Sequence, residues 1–241
     1  DLHPVAHSFP NDALPICSRA MGQDGHSAAR AYVRQRFADA GLDVLEHRHV
    51  SVAPMTGRAE IESAAGKPLK VDIYPFMPNH MQPMNTPPAG LSGELLLLTE
   101  EVLLTRSAFA DCIGLIDLSR TKPEGFGWSW TKYAERGIKA LILAHPEGLA
   151  AIEWDQLKEM ASPNPANFIR VAAGPGIFKQ EGKRIRLHVR TGYREIPVTN
   201  VIGRMTVSDQ APEAVVVVSS YDAGSILPDL APGVIQAYPL A

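Results

Sequence analysis

The stretch that most constrains the fold lies near the carboxyl end, Ala214-Val215-Val216-Val217-Val218-Ser219-Ser220-Tyr221-Asp222-Ala223-Gly224. Four consecutive valines carry no polar alternation, so the pattern predicts a strand buried on both faces, as in a parallel sheet covered by helices. Small and acidic residues follow, and then a loop, Leu227-Pro228-Asp229-Leu230-Ala231-Pro232-Gly233-Val234. In open α/β sheets that carboxyl edge is where ligands and catalytic groups collect. An α/β chain with an active-site position just after Val218 is the expectation.

The chain ahead of this stretch supports the same class. Residues 1–20 carry three prolines and two histidines and read as an extended arm. Asp24-Gly25-His26-Ser27 offers N-cap candidates for a helix over 28–40, whose Ala29, Val33, Phe37 and Ala40 fall on one face at helical period. Gly41 closes that helix as a left-handed C′ residue. Residues 42–52 form a strand in which Val44 and Val50 share a face with Glu46 and Arg48. Short strands are expected over 58–63 and 69–74, a Pro- and Met-rich loop over 75–88, and buried strands over 93–99 and 111–117. A helix over 128–136 ends at Gly137 and leads into an apolar strand over 138–144, a βαβ-like unit. A short helix is expected over 154–160, then strands over 168–172, 184–190 and 197–202.

Two parts of this pattern resemble a known family. Strand, Ser-Ser-Tyr-Asp, loop and Ala231-Pro232-Gly233 are similar to the zinc aminopeptidases of clan MH, which carry two co-catalytic zinc ions. The helix-Gly-Leu-strand opening (a helix on the sheet, then an edge strand) and the Asn200-Val201-Ile202-Gly203 turn resemble the same family. In that family the strand ends in His-Tyr-Asp or His-x-Asp and the loop reads Ala-Pro-Gly-Ala-Asp-Asp-Asn. Carried over, the ligand His falls on Ser220, the orienting acid on Asp222 and the bridging Asp on Ile235. A neutral hydroxyl is a poor zinc ligand and a hydrocarbon is none, so the resemblance implies a lost metal centre. The segment Tyr133-Ala134-Glu135-Arg136-Gly137-Ile138-Lys139-Ala140-Leu141-Ile142-Leu143 resembles the protease-associated domain often inserted in these peptidases. The implied architecture is a mixed sheet with helices from residues 1–52 and 196–241, C-terminally incomplete, interrupted by a protease-associated-like α/β insert over 53–195.

Composition narrows the remaining chemistry. A net charge of −3 over 241 residues and a pI near 6.3 give no electrostatic case for nucleic acid or an anionic membrane surface. No apolar run is long enough to span a bilayer. Arg184, Arg186, His188 and Arg190 alternate on one strand face, which reads as a solvated face because no aromatics interleave with them. Cys17 and Cys112 lack metal-site spacing and read as buried thiols, with a single bridge as the alternative. His80 among Met77, Met81 and Met84 has the softness for Cu(I) but no second His or Cys nearby. Ser219, Ser220 and Ser225 lack the glycines of a nucleophile elbow, and only distant His145 or His188 could serve as a base. Ala172-Ala173-Gly174-Pro175-Gly176 has no phosphate-loop lysine. His47 and His49 share a strand face that could take up a metal ion.

Two functional expectations follow from the resemblance. One is a peptidase-like domain without catalysis, with no cofactor, that binds a peptide or protein partner or serves assembly. It would be extracytoplasmic, attached to a membrane only through parts of a longer chain. The other is a truncated piece of an active zinc-dependent aminopeptidase or carboxypeptidase, with zinc as cofactor. An unrelated hydrolase using Asp222 and Asp229 is a third. The chain begins at Asp1 with no initiator Met or leader, and reads as a piece of something longer.

Overall fold

The computed structural model describes residues 21–22, 24–76, 83–120, 130–152, 167–206, 215–219 and 221. Helix α1 (Asp24–Asp39) begins where the polar run Asp24-Gly25-His26-Ser27 was expected to cap it and presents Ala29, Val33 and Phe37 inward. It ends at Gly41 (φ +74°) with the paired bonds of a Schellman turn: Leu42 N–H donates to the Phe37 carbonyl (3.1 Å) and Gly41 N–H to that of Ala38 (2.9 Å). The chain then runs into β1 (Asp43–Ser63), 21 residues long, which joins the two strands expected separately over 42–52 and 58–63.

Six further strands follow: β2 (Ile73–Pro75), β3 (Leu91–Leu97), β4 (Cys112–Asp117), β5 (Ala140–Ala144), β6 (Ile169–Ala173) and β7 (Arg184–Arg204). They form one mixed sheet in the order β1-β7-β3-β4-β5-β6-β2. The pairs β3-β4, β4-β5 and β5-β6 are parallel; β1-β7, β3-β7 and β2-β6 are antiparallel. Every residue of β4, β5 and β6 is buried, as parallel strands covered on both faces require. Two short helices connect the parallel strands. Helix α2 (Glu100–Thr105), which hydrophobic periodicity did not reveal, is capped by Thr99, whose side chain accepts from Val102 N–H, and has Glu100 and Glu101 in its first turn. Helix α3 (Thr131–Glu135) ends at Gly137 (φ +87°) with a second Schellman turn. The helix expected over 154–160 lies outside the described residues.

Among the described residues the buried apolar side chains form two clusters. The larger runs from Ile61 to Val189 and includes Leu95, Ile113, Leu115, Trp130, Leu141, Leu143, Val171 and Leu187. The smaller joins Ala53, Ile196 and Val198, with Met21 against it. Between them β1 and β7 remain paired without a break through Val52↔Glu195 and Ala53↔Arg194, the level at which the sequence reading divided the chain. Strand β1 lies at an outer edge, as the resemblance implied.

The tetravaline segment does not fold as expected. Residues 215–219 form no strand, and Val215, Val216, Val217 and Val218 are 95, 79, 88 and 84% exposed. A strand buried on both faces needs hydrogen-bonded neighbours and covering helices. Among the described residues no strand pairs with these valines, so their apolar surface meets water.

Candidate functional site

The three positions singled out by the metal-site resemblance, Ser220, Asp222 and Ile235, lie outside the described residues. Tyr221, between two of them, is described: its ring stacks on His26 at the start of α1 (centroids 5.2 Å apart), and its hydroxyl donates to the Thr199 carbonyl of β7. Tyr221 is thus anchored against α1 and β7. As residue types, Ser220 offers a neutral hydroxyl and Ile235 no donor atom, so neither suits zinc.

A concavity lies elsewhere, a groove of about 330 Å³ where β1 and β7 leave perfect register. Thr56 faces Thr191 and Ala59 faces Val189, so Gly57 and Arg58 together oppose the single residue Arg190. The bulge needs a glycine: a Cβ on Gly57 would sit 2.4 Å from the Arg190 carbonyl oxygen. Beyond it, Glu60 faces His188 and Glu62 faces Arg186 across the ladder. Ion pairs lace the floor, Arg58 to Glu60 at 2.6 Å and Arg186 to Glu62 at 3.7 Å, with His188 Nε2 3.5 Å from the Glu62 carboxylate. His188 Nε2 is shielded from water and makes no hydrogen bond. Pro87 and Pro88 wall the groove, held to β7 by Thr86 N–H donating to the Val189 carbonyl (3.0 Å). The turn closes at Gly90 (φ +78°), where a Cβ would meet Arg186 and His188 at 2.7 Å.

The expected basic strand face is therefore real and mostly neutralised. Arg184 forms a bidentate pair with Asp111 (2.6 and 3.0 Å), which also accepts from Lys139 Nζ at 2.8 Å. These donors hold the Asp111 carboxyl well below the usual carboxylate range, the Arg184 hydrogen bonds first. Arg190 alone of this row is exposed with no ion-pair partner among the described residues. The groove can recognise a charged, extended ligand. Its side chains supply no hydrogen-bonded nucleophile and base pair, since the Thr86 hydroxyl is engaged with the Val189 backbone.

Other expected candidates are scattered. His145 follows the end of β5, its Nδ1 accepting from Glu147 N–H at 3.2 Å, while His188 lies on β7, so the two histidines weighed as distant bases sit on non-adjacent strands. Met84 is fully buried rather than part of a metal loop, and His80, Met77 and Met81 lie outside the described residues. Cys112 is a free, buried thiol whose pKa burial pushes up; Cys17 is outside the described residues. Gly174 precedes a 3-10 turn (Pro175–Gln180) and Gly176 lies within it. His47 and His49 stack on one exposed face of β1, ring centroids 5.4 Å apart. Among the described residues no three His, Cys, Asp or Glu are grouped to hold a metal ion.

Two buried charges escaped the sequence reading. Arg170 is 1% exposed, its guanidinium over the rings of Trp130 (5.0 Å) and Phe76 (6.0 Å), and burial lowers its pKa to about 10. Asp117 ends β4 and accepts from the Ser119 hydroxyl at 2.6 Å and pairs with Arg120 at 3.2 Å. A charged residue inside Phe168-Ile169-Arg170-Val171-Ala172 was the available signal for the first.

The sequence matches no protein-family model and no curated protein. Solved structures do resemble it. A crystal structure of a peptidase M28 precursor from Shewanella amazonensis SB2B superposes with a TM-score of 0.51 at 17% identity, covering 89% of this chain and 52% of that one. BSAP, a zinc aminopeptidase from Bacillus subtilis, superposes with a TM-score of 0.50 at 17% identity, covering 86% and 48%. At this identity the likeness establishes a shared mixed α/β fold. The chain spans about half the length of the structures it matches.

Proposed function

We propose that this chain is a peptidase-like domain that binds a peptide or protein partner, or serves assembly, and does not itself hydrolyse peptide bonds. The observation that carries the reading is the donor set: the sequence resemblance sets Ser220 and Ile235 at two of the family's metal-ligand positions, and neither is an adequate zinc donor. Asp222 keeps its position with no imidazole left to orient. No step can be routed through zinc with these residues.

The proposed organisation is a discontinuous peptidase-like part, residues 1–52 and 196–241, carrying a protease-associated-like insert over 53–195. The distribution of the apolar side chains supports it in part, because the large cluster lies between Ile61 and Val189, while the small one joins Ile196 and Val198 to Ala53 at the insert's first residue. The charged groove at the bulge is the surface on which a partner with both charges would dock. An extracytoplasmic location accompanies this reading, in keeping with the precursor named for the Shewanella structure. No helix among the described residues is long and apolar enough to cross a membrane, so attachment would come from other parts of a longer protein.

A second reading, a piece of an active zinc metallopeptidase of aminopeptidase type, is favoured by two open sheet elements. From Tyr193 onward β7 pairs only with β1 among the described residues, and residues 215–218 pair with nothing there. A remaining half would supply the missing strands and cover the valines. Ser220 and Ile235 weigh against it, since both are in this chain.

Hydrolysis of aminoacyl and peptidyl substrates with and without added zinc, together with metal analysis after dialysis, separates the two. Inactivity under both conditions is the expected result. Zinc-dependent hydrolysis, or two zinc ions retained per chain, would overturn the proposal.

A further inference from the structure

From the outer face of β1 we infer that His47, His49 and Asn200 form a surface chelate for one borderline divalent ion of the copper, nickel and zinc class. Alternation along the strand puts both imidazoles on the same side. Both are exposed, and their rings lie 5.4 Å apart with planes 19° from parallel. Apart from that mutual contact, neither imidazole has a hydrogen bond or ion pair among the described residues, so both keep free nitrogen lone pairs.

Asn200 supplies the third donor. It stands directly opposite His47 in the β1-β7 ladder and is itself exposed. Residues directly opposed in an antiparallel pair have Cβ atoms about 4.5–5.5 Å apart, within reach of one shared ion. The ladder pairs β1 and β7 without a shift from Asp43↔Arg204 to Thr56↔Thr191, so the three donors stand on one regular two-stranded stretch. Rotating the two rings about their terminal torsions brings one nitrogen of each toward a common point, where an ion needs both at about 2.0–2.1 Å. Water completes the shell from the open side.

The donor types define the ion. Glu46 and Arg48 alternate onto the opposite face, where Glu46 meets Arg34 of α1, so no carboxylate joins the set. Two imidazoles and one amide oxygen suit copper, nickel and zinc and are a poor match for calcium or magnesium, which take oxygen ligands. The site is independent of the groove and of Ser220, Asp222 and Ile235.

Calorimetric titration with Ni²⁺ and with Cu²⁺ tests it, using the whole chain. One ion per chain is expected, with affinity falling about 10-fold or more in His47→Ala and in His49→Ala, by less in Asn200→Ala, and not at all in His188→Ala. All three donors are exposed, and an unchanged thermal melt of each variant separates lost ligation from lost folding. Equal affinity in wild type and His47→Ala/His49→Ala, meaning uptake at other histidines, would overturn the inference. So would the absence of saturable binding.

Discussion

Replacing Val216 and Val218 together by aspartate distinguishes water-exposed valines from a buried central strand. Their exposures of 79 and 84% leave about a fifth of each side chain covered. Full burial of a valine is worth about 1.5–3 kcal/mol, so the covered part contributes about 0.3–0.6 kcal/mol at each site. An aspartate here stays in water and adds no desolvation cost. The double variant should therefore lower the unfolding free energy by about 0.6–1.2 kcal/mol. On a strand buried on both faces the lost burial alone would cost about 3–6 kcal/mol, with two desolvated carboxylates in addition. Urea unfolding followed by tryptophan fluorescence reads the difference, because Trp130 is 1% exposed in the large cluster and reports its loss. A loss above about 3 kcal/mol with unchanged m would refute the exposed placement of these valines. The same variant should scatter less light at high concentration, since four uncharged β-branched residues in a row make an adhesive segment.

Three further outcomes are expected. Gly57→Ala should cost about 1–3 kcal/mol in a thermal melt, because the 2.4 Å approach is to a backbone carbonyl that cannot swing aside; a neutral result would mean the bulge opens freely. Leu143→Ala, in fully buried β5, should cost about 2–5 kcal/mol in urea unfolding. Asp111→Asn should be less stable than wild type at neutral pH. The Asp111 pKa is lowered on folding, so its contribution is fully present above the unfolded value of about 3.9 and is lost as pH falls toward the folded one. The gap between the two melting curves should therefore begin to narrow below about pH 4 and keep narrowing as the solution is made more acid, and a gap that stays constant with falling pH there would contradict the ion-pair account.

Much of the architecture was legible because each element carried its own local signal. Alternation and apolar runs located β4, β5 and β6, and the glycines at 41 and 137 stopped their helices through positive φ. The groove was half legible: the alternating Arg184, Arg186, His188 and Arg190 marked a strand face, but nothing local announced Glu60 and Glu62 opposite it. Helix α2 was missed because six residues with both flanking faces half-covered show too little periodicity. Arg170 was missed because an aromatic enclosure assembled from Phe76 and Trp130 is far away in sequence.

What the sequence by itself determined is the set of short-range commitments: which segments extend, which coil, and where glycine ends a helix. Those follow from side-chain size, charge and backbone freedom within a few residues. Only the tertiary structure decided that two strands expected apart form one 21-residue β1 pairing with β7 across a bulge, and that the valines at 215–218 face water. Burial of a strand is a property of its neighbours rather than of its own residues. Four valines specify a readiness to be covered, and the covering surface has to come from somewhere else.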